Sequence, residues 1–249
     1  MIEVKHLYKS YDGTFVLNDV SARFEQGKCN LIIGRSGSGK TVLLKSIAGL
    51  IEVDEGEIWY DQHKFSHLDS RARREIRKEM GVLFQGAALF DSLTVEENVL
   101  FPLEMFTRQT RAEKLERANF CLERVRVSGS NGLYPAELSG GMKKRVAIAR
   151  AIALNPRYLL CDEPNSGLDP ETGIVIDNLI KELTEEFQMT TIVNSHDMNS
   201  VLEIGDKVIF IYRGCLCWEG SREEILQTDN EALNNFVFAT NMAKQIKRP

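Results

Sequence analysis

Long apolar runs are missing from this sequence. Nowhere does it approach the roughly 18 to 20 consecutive apolar residues that a membrane-spanning helix requires, and Met1-Ile-Glu-Val-Lys5 carries no apolar core of the kind a secretory leader needs. The expectation is a chain that stays in the cytoplasm. A basic excess is missing as well: 31 lysines and arginines stand against 36 aspartates and glutamates, for a formal net charge of −5. A surface that gathers nucleic acid needs the opposite balance, because it binds by neutralising phosphates, so no nucleic-acid partner is expected. The one basic cluster, Arg71, Arg73, Arg74, Arg77 and Lys78, is interleaved with Glu75 and Glu79 and reads as a solvated helix face. Cysteine is sparse, odd in number and scattered (Cys29, Cys121, Cys161, Cys215, Cys217), which fits a reducing compartment. Cys215 and Cys217 would share a strand face, but no second ligand pair accompanies them, so no metal site is expected there. Only six prolines occur, and neither a repeat nor a low-complexity stretch. What remains is an ordinary globular composition, 43% hydrophobic and 27% charged, long enough at 249 residues for one α/β core with an inserted subdomain.

The periodicity supports that division. Short strands are expected at Ile2 to Val4 and Phe15 to Phe24, the second alternating as a half-buried antiparallel strand does, with Tyr11 between them. Leu31 to Ile33 is a buried strand that meets a glycine-rich loop, after which Val42, Leu43, Leu44, Ile47 and Ala48 recur at helical spacing. Beyond a polar turn at Asp54 to Gly56, strands are read at Glu57 to Tyr60 and Val82 to Phe84, with a helix from Ser70 between them. From Thr94 to about Tyr134 the pattern is helical, with Thr94 and Glu97 spaced as a capping box and a break at Gly129 to Gly132. Apolar runs at Tyr158 to Cys161, Thr191 to Val193 and Val208 to Ile211 then alternate with helices, the signature of a mostly parallel sheet. Asn230 to Pro249 reads as a terminal helix with a basic end.

Gly34-Arg35-Ser36-Gly37-Ser38-Gly39-Lys40-Thr41 satisfies G-x-x-x-x-G-K-[ST], in which every required residue has a task on a triphosphate. The glycines let consecutive backbone N–H groups converge on an anion at a helix start. Lys40 would supply a mobile cation to the β and γ phosphates, and Thr41 a hydroxyl for Mg²⁺, which takes hard oxygen ligands. The strand Tyr158 to Cys161 ends in Asp162 and Glu163, so two carboxylates emerge at the carboxyl edge of the sheet, where open α/β folds bind ligands. Asp162 is assigned to the metal and Glu163 to the attacking water, as general base. Ser139, Gly140 and Gly141 open a second strongly helical stretch, Lys143 to Leu154, and make a second anion site at a helix start.

With these motifs in this order, essentially the whole chain resembles the ABC ATPase family. The resemblance implies an α/β fold with a RecA-like P-loop core, a mostly parallel sheet, an N-terminal antiparallel β subdomain and an inserted α-helical subdomain. The core is expected at about 1–90 and 156–249, and the helical part at about 91–155. It further implies adenine stacking at Tyr11, a Walker A loop at Gly34 to Thr41, a Q-loop at Gln85 that also reaches the metal, and a signature at Ser139 to Gly141. A Walker B strand ending in Asp162, the base Glu163, a D-loop at Ser166 to Asp169 and a switch histidine at His196 complete the set. In that family the signature of one copy covers ATP held by the Walker A loop of another, so the implied partners are a second copy of the chain and a membrane permease, met on the cytoplasmic face of the membrane. Met142 departs from the family's usual glutamine, which leaves the backbone anion site intact but removes a polar side chain.

Gln85-Gly-Ala-Ala-Leu-Phe90, followed by Asn98-Val99 and Pro102-Leu103, looks like the ATPases of the MCE or Mla lipid-transport systems, which implies phospholipid as the cargo and an MCE-type protein as a further partner. The segment is expected to line a groove for a permease helix. Other transporters (amino acid, metal, drug) and cell-division ABC complexes remain alternatives. The chain lacks the long coiled-coil insertion of the DNA-repair type and the paired cassettes of the translation type. Lys40, Asp162, Glu163 and His196 together argue against a non-catalytic nucleotide sensor.

Overall fold

The computed structural model describes residues 1–237. The chain opens with β1 (Ile2–Tyr11), β2 (Thr14–Phe24), β3 (Cys29–Ile33) and α1 (Lys40–Ile47), followed by β4 (Glu55–Tyr60), β5 (His63–Lys64), α2 (Ser70–Lys78) and β6 (Met80–Leu83). Three helices come next, α3 (Val95–Phe106), α4 (Arg111–Arg124) and α5 (Gly140–Ile152). The remainder runs β7 (Tyr158–Asp162), α6 (Pro170–Phe187), β8 (Thr190–Ser195), α7 (Met198–Ile204), β9 (Lys207–Tyr212), β10 (Cys215–Gly220), α8 (Arg222–Ile225) and α9 (Glu231–Val237). Of the terminal helix read over Asn230 to Pro249, α9 is the described part; the basic end lies outside the described residues.

Among the described residues two sheets form. An antiparallel sheet runs β2-β1-β4-β5, and a second runs β10-β9-β3-β8-β7-β6, parallel except for the β9–β10 pair. An N-terminal antiparallel sheet and a mostly parallel second sheet are therefore present, as expected. The first strand differs in length: β1 continues to Tyr11, so Tyr11 ends a strand rather than lying between two. The alternation of Ile2 and Val4 is broken by a register irregularity before the buried Leu7, and pairing to β2 and β4 on both flanks carries the strand on.

The central strands β3, β7 and β8 are buried at every position because both faces are covered. Leu31 and Ile33 of β3 face the helical side with Leu159, Cys161, Val193 and Phe210. Ile32, one residue out of phase, faces the antiparallel sheet and α1 with Leu160, Ile192, Val4, Leu43 and Ile47. The two-residue period thus builds two cores from one sheet, and the loops after β3, β7 and β8 project from strands covered on both faces.

Helices α3, α4 and α5 pack on one another. The capping box expected at Thr94 and Glu97 is present, and Thr110 with Glu113 forms a second. Fully buried Asn98 explains part of the Phe90-to-Asn98 pattern. Its amide donates to the carbonyls of Phe90 and Leu93 at 3.1 Å and Thr94 at 3.0 Å, and its oxygen accepts from the Phe90 N–H at 2.9 Å, so one side chain shapes the whole turn.

Asp177 of α6 is buried with Asn165 and Ser200. Its Oδ2 accepts from Asn165 Nδ2 at 2.7 Å, while Oδ1 has no hydrogen-bond partner among the described residues. Burial pushes its pKa up to about 6 from 3.8, opposed by the Ser200 and Asn165 hydrogen bonds and reinforced by Asp197 and Glu203. The folded state therefore holds this proton longer than the unfolded one, and the resulting stability is full below about pH 4 and lost as pH rises through about 6. Asp177→Asn cannot ionise. Relative to the parent it is expected to gain at most about 3 kcal/mol between pH 4 and pH 7. Urea denaturation at the two pH values measures this; an equal difference at both would refute the assignment.

Candidate functional site

The loop between β3 and α1 can be made only with glycine at two positions. Gly34 has φ 151° and Gly39 φ 107°. A Cβ on Gly34 would lie 2.3 Å from the Ile211 carbonyl oxygen, and one on Gly39 2.5 Å from that of Val16. The backbones of β9 and β2 thus press the loop into shape, and α1 starts at Lys40 with its first N–H groups turned to the loop. Ser38 Oγ is buried without a hydrogen-bond partner among the described residues, a donor available to an anion oxygen. Lys40 departs from the mobile cation expected of it. It is only 6% exposed, and its Nζ donates to the Arg35 carbonyl at 3.2 Å. Burial lowers its pKa, against the raising influence of Glu163 and Asp162.

Asp162 ends β7 directly opposite Asn194 on β8. Asn194 Nδ2 donates to Asp162 Oδ1 at 2.6 Å and lies 3.2 Å from Thr41 Oγ1, and the Thr41 hydroxyl is 3.3 Å from the same carboxylate oxygen. Three oxygen-bearing side chains from α1, β7 and β8 therefore meet at one point. One residue further, Glu163 has φ 50°, a left-handed conformation unusual outside glycine. Its N–H donates to the Asn194 carbonyl at 2.9 Å, and its Oε2 lies 2.6 Å from Nδ1 of His196. Gln85 follows β6 and donates to Ser166 Oγ at 3.1 Å.

A cleft of about 580 Å³ connects these groups. Residues Arg35 to Val42 line it with Val16, Gln85, Glu163, His196 and Phe236. The structure thus brings Arg35, Ser36, Gly37, Ser38, Gly39, Lys40, Thr41, Gln85, Glu163 and His196 to one cavity, with Asp162 hydrogen-bonded at its floor.

Tyr11, Ser139, Gly140, Gly141 and Asp169 do not line that cleft. Tyr11 is half exposed, with the Lys9 ammonium 5.3 Å from its ring centre. Ser139 caps α5 through the Met142 N–H at 3.3 Å, and both Ser139 and Gly140 are exposed. A Cβ on Gly141 would lie 2.7 Å from Thr172 and one on Gly140 3.3 Å from Leu168, so the start of α5 lies against the start of α6. Asp169 caps α6, accepting from the Thr172 hydroxyl at 2.6 Å and N–H at 2.9 Å, bonds that lower its pKa. One chain therefore presents two glycine-rich helix starts, in separate places.

Sequence reasoning missed Val16, Phe236, Asn194 and Lys144. For Asn194 a signal existed, a polar residue directly after the apolar Ile192 and Val193. For Phe236, far along the chain in α9, there was none.

A family model described as ABC transporter matches residues 17–166. The intermembrane phospholipid transport system ATP-binding protein MlaF of Haemophilus influenzae is 39% identical over 95% of this chain and 90% of its own length. The methionine import ATP-binding protein MetN of Campylobacter jejuni is 38% identical over 95% of this chain and 75% of its own. Among solved structures, the dimeric post-hydrolysis state of the ATP-binding cassette MJ0796 bound to ADP and Pi superposes with a TM-score of 0.82 at 35% identity, covering 89% of this chain and 99% of that one. With a fold, a phosphate loop and an ordered set of polar groups all matching this pattern, the chain belongs to the ABC transporter family, as one of its ATPase subunits.

Proposed function

We propose that the chain binds MgATP in the cleft at Gly34 to Thr41, closes on it as a pair of identical copies, and drives a membrane permease that moves phospholipid. The observation that carries the catalytic part is the meeting of Thr41, Asp162 and Asn194 beside the Glu163–His196 pair. Gly34 to Thr41 wrap the phosphates. The hydroxyl and carboxylate oxygens of Thr41 and Asp162 suit the hard, oxygen-seeking Mg²⁺, and the exposed amide oxygen of Gln85 completes a donor set of the right kind. When bound, the ion neutralises charge developing on the phosphates. Glu163 takes the proton of the attacking water, and His196, whose Nδ1 lies 2.6 Å from Glu163 Oε2, fixes its direction. Ser139, Gly140 and Gly141 cover the γ-phosphate held by the second copy, Asp169 lies at the seam between copies, and Tyr11 stacks on adenine. The exposure of Ser139 and Gly140, and their absence from their own chain's cleft, support this division. Among the described residues, 1–90 and 156–237 are assigned to the nucleotide core and 91–155 to the helical arm.

The permease is assigned to a groove of about 360 Å³ lined by Phe84, Ala88, Phe90, Phe101, Pro102 and Phe106, with Arg77 and Arg150 at its edge. Phe90 is 42% exposed and packs on Phe101 at 4.6 Å. Phospholipid as cargo, and an MCE-type protein beside the permease, are supported by the Gln85-to-Pro102 pattern and by the resemblance to MlaF over 90% of its length. The similarity to MetN makes methionine the rival cargo. Action takes place on the cytoplasmic face of the membrane; among the described residues no helix is long and apolar enough to cross one.

Reconstitution of the subunit with its permease tests this. Turnover is expected to rise with phospholipid supplied to the complex and not with methionine; the reverse would exclude the lipid reading. In the same preparation Phe90→Glu is expected to weaken copurification by about 30-fold, the effect of losing a buried aromatic anchor. Undiminished complex formation would remove the groove assignment.

A further inference from the structure

Lys144 stands between the basic residues Lys143 and Arg145, yet it is only 4% exposed. It lies on α5, five residues after Ser139. Its Nζ donates to the Gln85 carbonyl in a short contact and to the Glu163 carbonyl at 3.4 Å. Among the described residues no carboxylate forms a salt bridge with it. An ammonium taken out of water is costly unless its donors are satisfied, and here two backbone dipoles and the nearby charges of Asp162 and Glu163 replace the water.

Where those carbonyls lie gives the arrangement its meaning. Gln85 is tied through its side chain to Ser166, beyond Glu163 in sequence, and Glu163 is held on its N–H side by Asn194. Lys144 holds the carbonyl side. Further along α5, Arg150 donates to the carbonyls of Ala87 at 2.9 Å and Ala88 at 2.8 Å, residues at φ 63° and 48°. Helix α5 therefore grips the Gln85 segment at two points, and Lys144 is the grip that also reaches the carboxylate loop.

We infer that Lys144 is a positioning residue for hydrolysis, fixing the backbone of Glu163 and Gln85 to the helix that carries Ser139. The inference rests on the proposed role of Glu163 as base. Any rotation of α5 that moves the second anion site then also moves the base of the same chain, so docking of the helical arm and aiming of the attacking water become one event.

Lys144→Met is expected to lower kcat about 10- to 100-fold, the scale for small misplacement of a catalytic group, with KM for ATP within about twofold and nucleotide binding retained. Lys144→Arg, which keeps a donor cation, is expected to recover much of the rate; a Lys144→Arg variant as slow as Lys144→Met overturns the inference. In a Glu163→Gln background Lys144→Met is expected to cost nothing more, since the group it aims is gone. An unchanged kcat in Lys144→Met, or a full further loss in the double variant, overturns the inference and leaves the base assignment standing. Parental turnover in Glu163→Gln alone overturns both. Should Lys144→Met fail to fold, Lys144→Gln, which retains one amide donor, carries the same cycle.

Discussion

Glu163→Gln is expected to bind ATP as the parent does and to hydrolyse it about 10² to 10⁴ times more slowly, the range over which general bases act. The substitution keeps the shape of the side chain. An amide in place of the carboxylate can still bond to Nδ1 of His196, now 2.6 Å from Oε2, but it cannot accept the proton of water. The backbone at φ 50° is unaffected, because it is held by Asn194 and Lys144 rather than by the side chain. With binding intact and turnover nearly halted, the pair of copies should accumulate closed around two ATP molecules. Phosphate release and size-exclusion chromatography with and without MgATP measure the two halves of this expectation. Parental turnover would mean that another group takes the proton.

Lys40→Ala acts earlier. The ammonium is buried in the phosphate loop, where a charge-assisted hydrogen bond to phosphate is worth about 1.5 to 3 kcal/mol, so MgATP affinity is expected to fall about 10- to 150-fold. The Lys40 bond to the Arg35 carbonyl shows that the side chain is already folded over the loop, leaving little entropy to lose when the nucleotide arrives. Calorimetric titration with MgATP distinguishes this from a folding defect, since the loop's glycines and the flanking β3 and α1 do not depend on the cation. Equal affinity in parent and variant would remove the triphosphate from this loop.

The parts of the site legible in the sequence are those whose chemistry is local. Gly34 to Thr41 work through their own backbone, so spacing alone identifies them, and Asp162 and Glu163 follow an apolar strand whose end can be counted. The sheet was legible for a similar reason, because β3, β7, β8 and β9 are apolar on both faces. Lys144 was illegible, since a lysine among basic residues on a helix has the pattern of solvent exposure and only the approach of Gln85 and Glu163, 59 and 19 residues distant in sequence, buries it. Phe236 enters the cleft by packing on Phe210 at 5.5 Å, a meeting that no periodicity encodes. The length of β1 escaped because its second half is held by neighbouring strands and not by its own alternation.

The exposed Ser139 helix start and the phosphate cleft occupy different places on one polypeptide. A lone molecule is then two unmatched halves of a working pocket, and in dilute solution its rate should climb with the square of protein concentration. A scaffold that tethers two copies substitutes a local concentration, about millimolar for a short flexible connection, for whatever the bulk supplies. The permease would therefore switch on hydrolysis by proximity alone, before any change of its own shape.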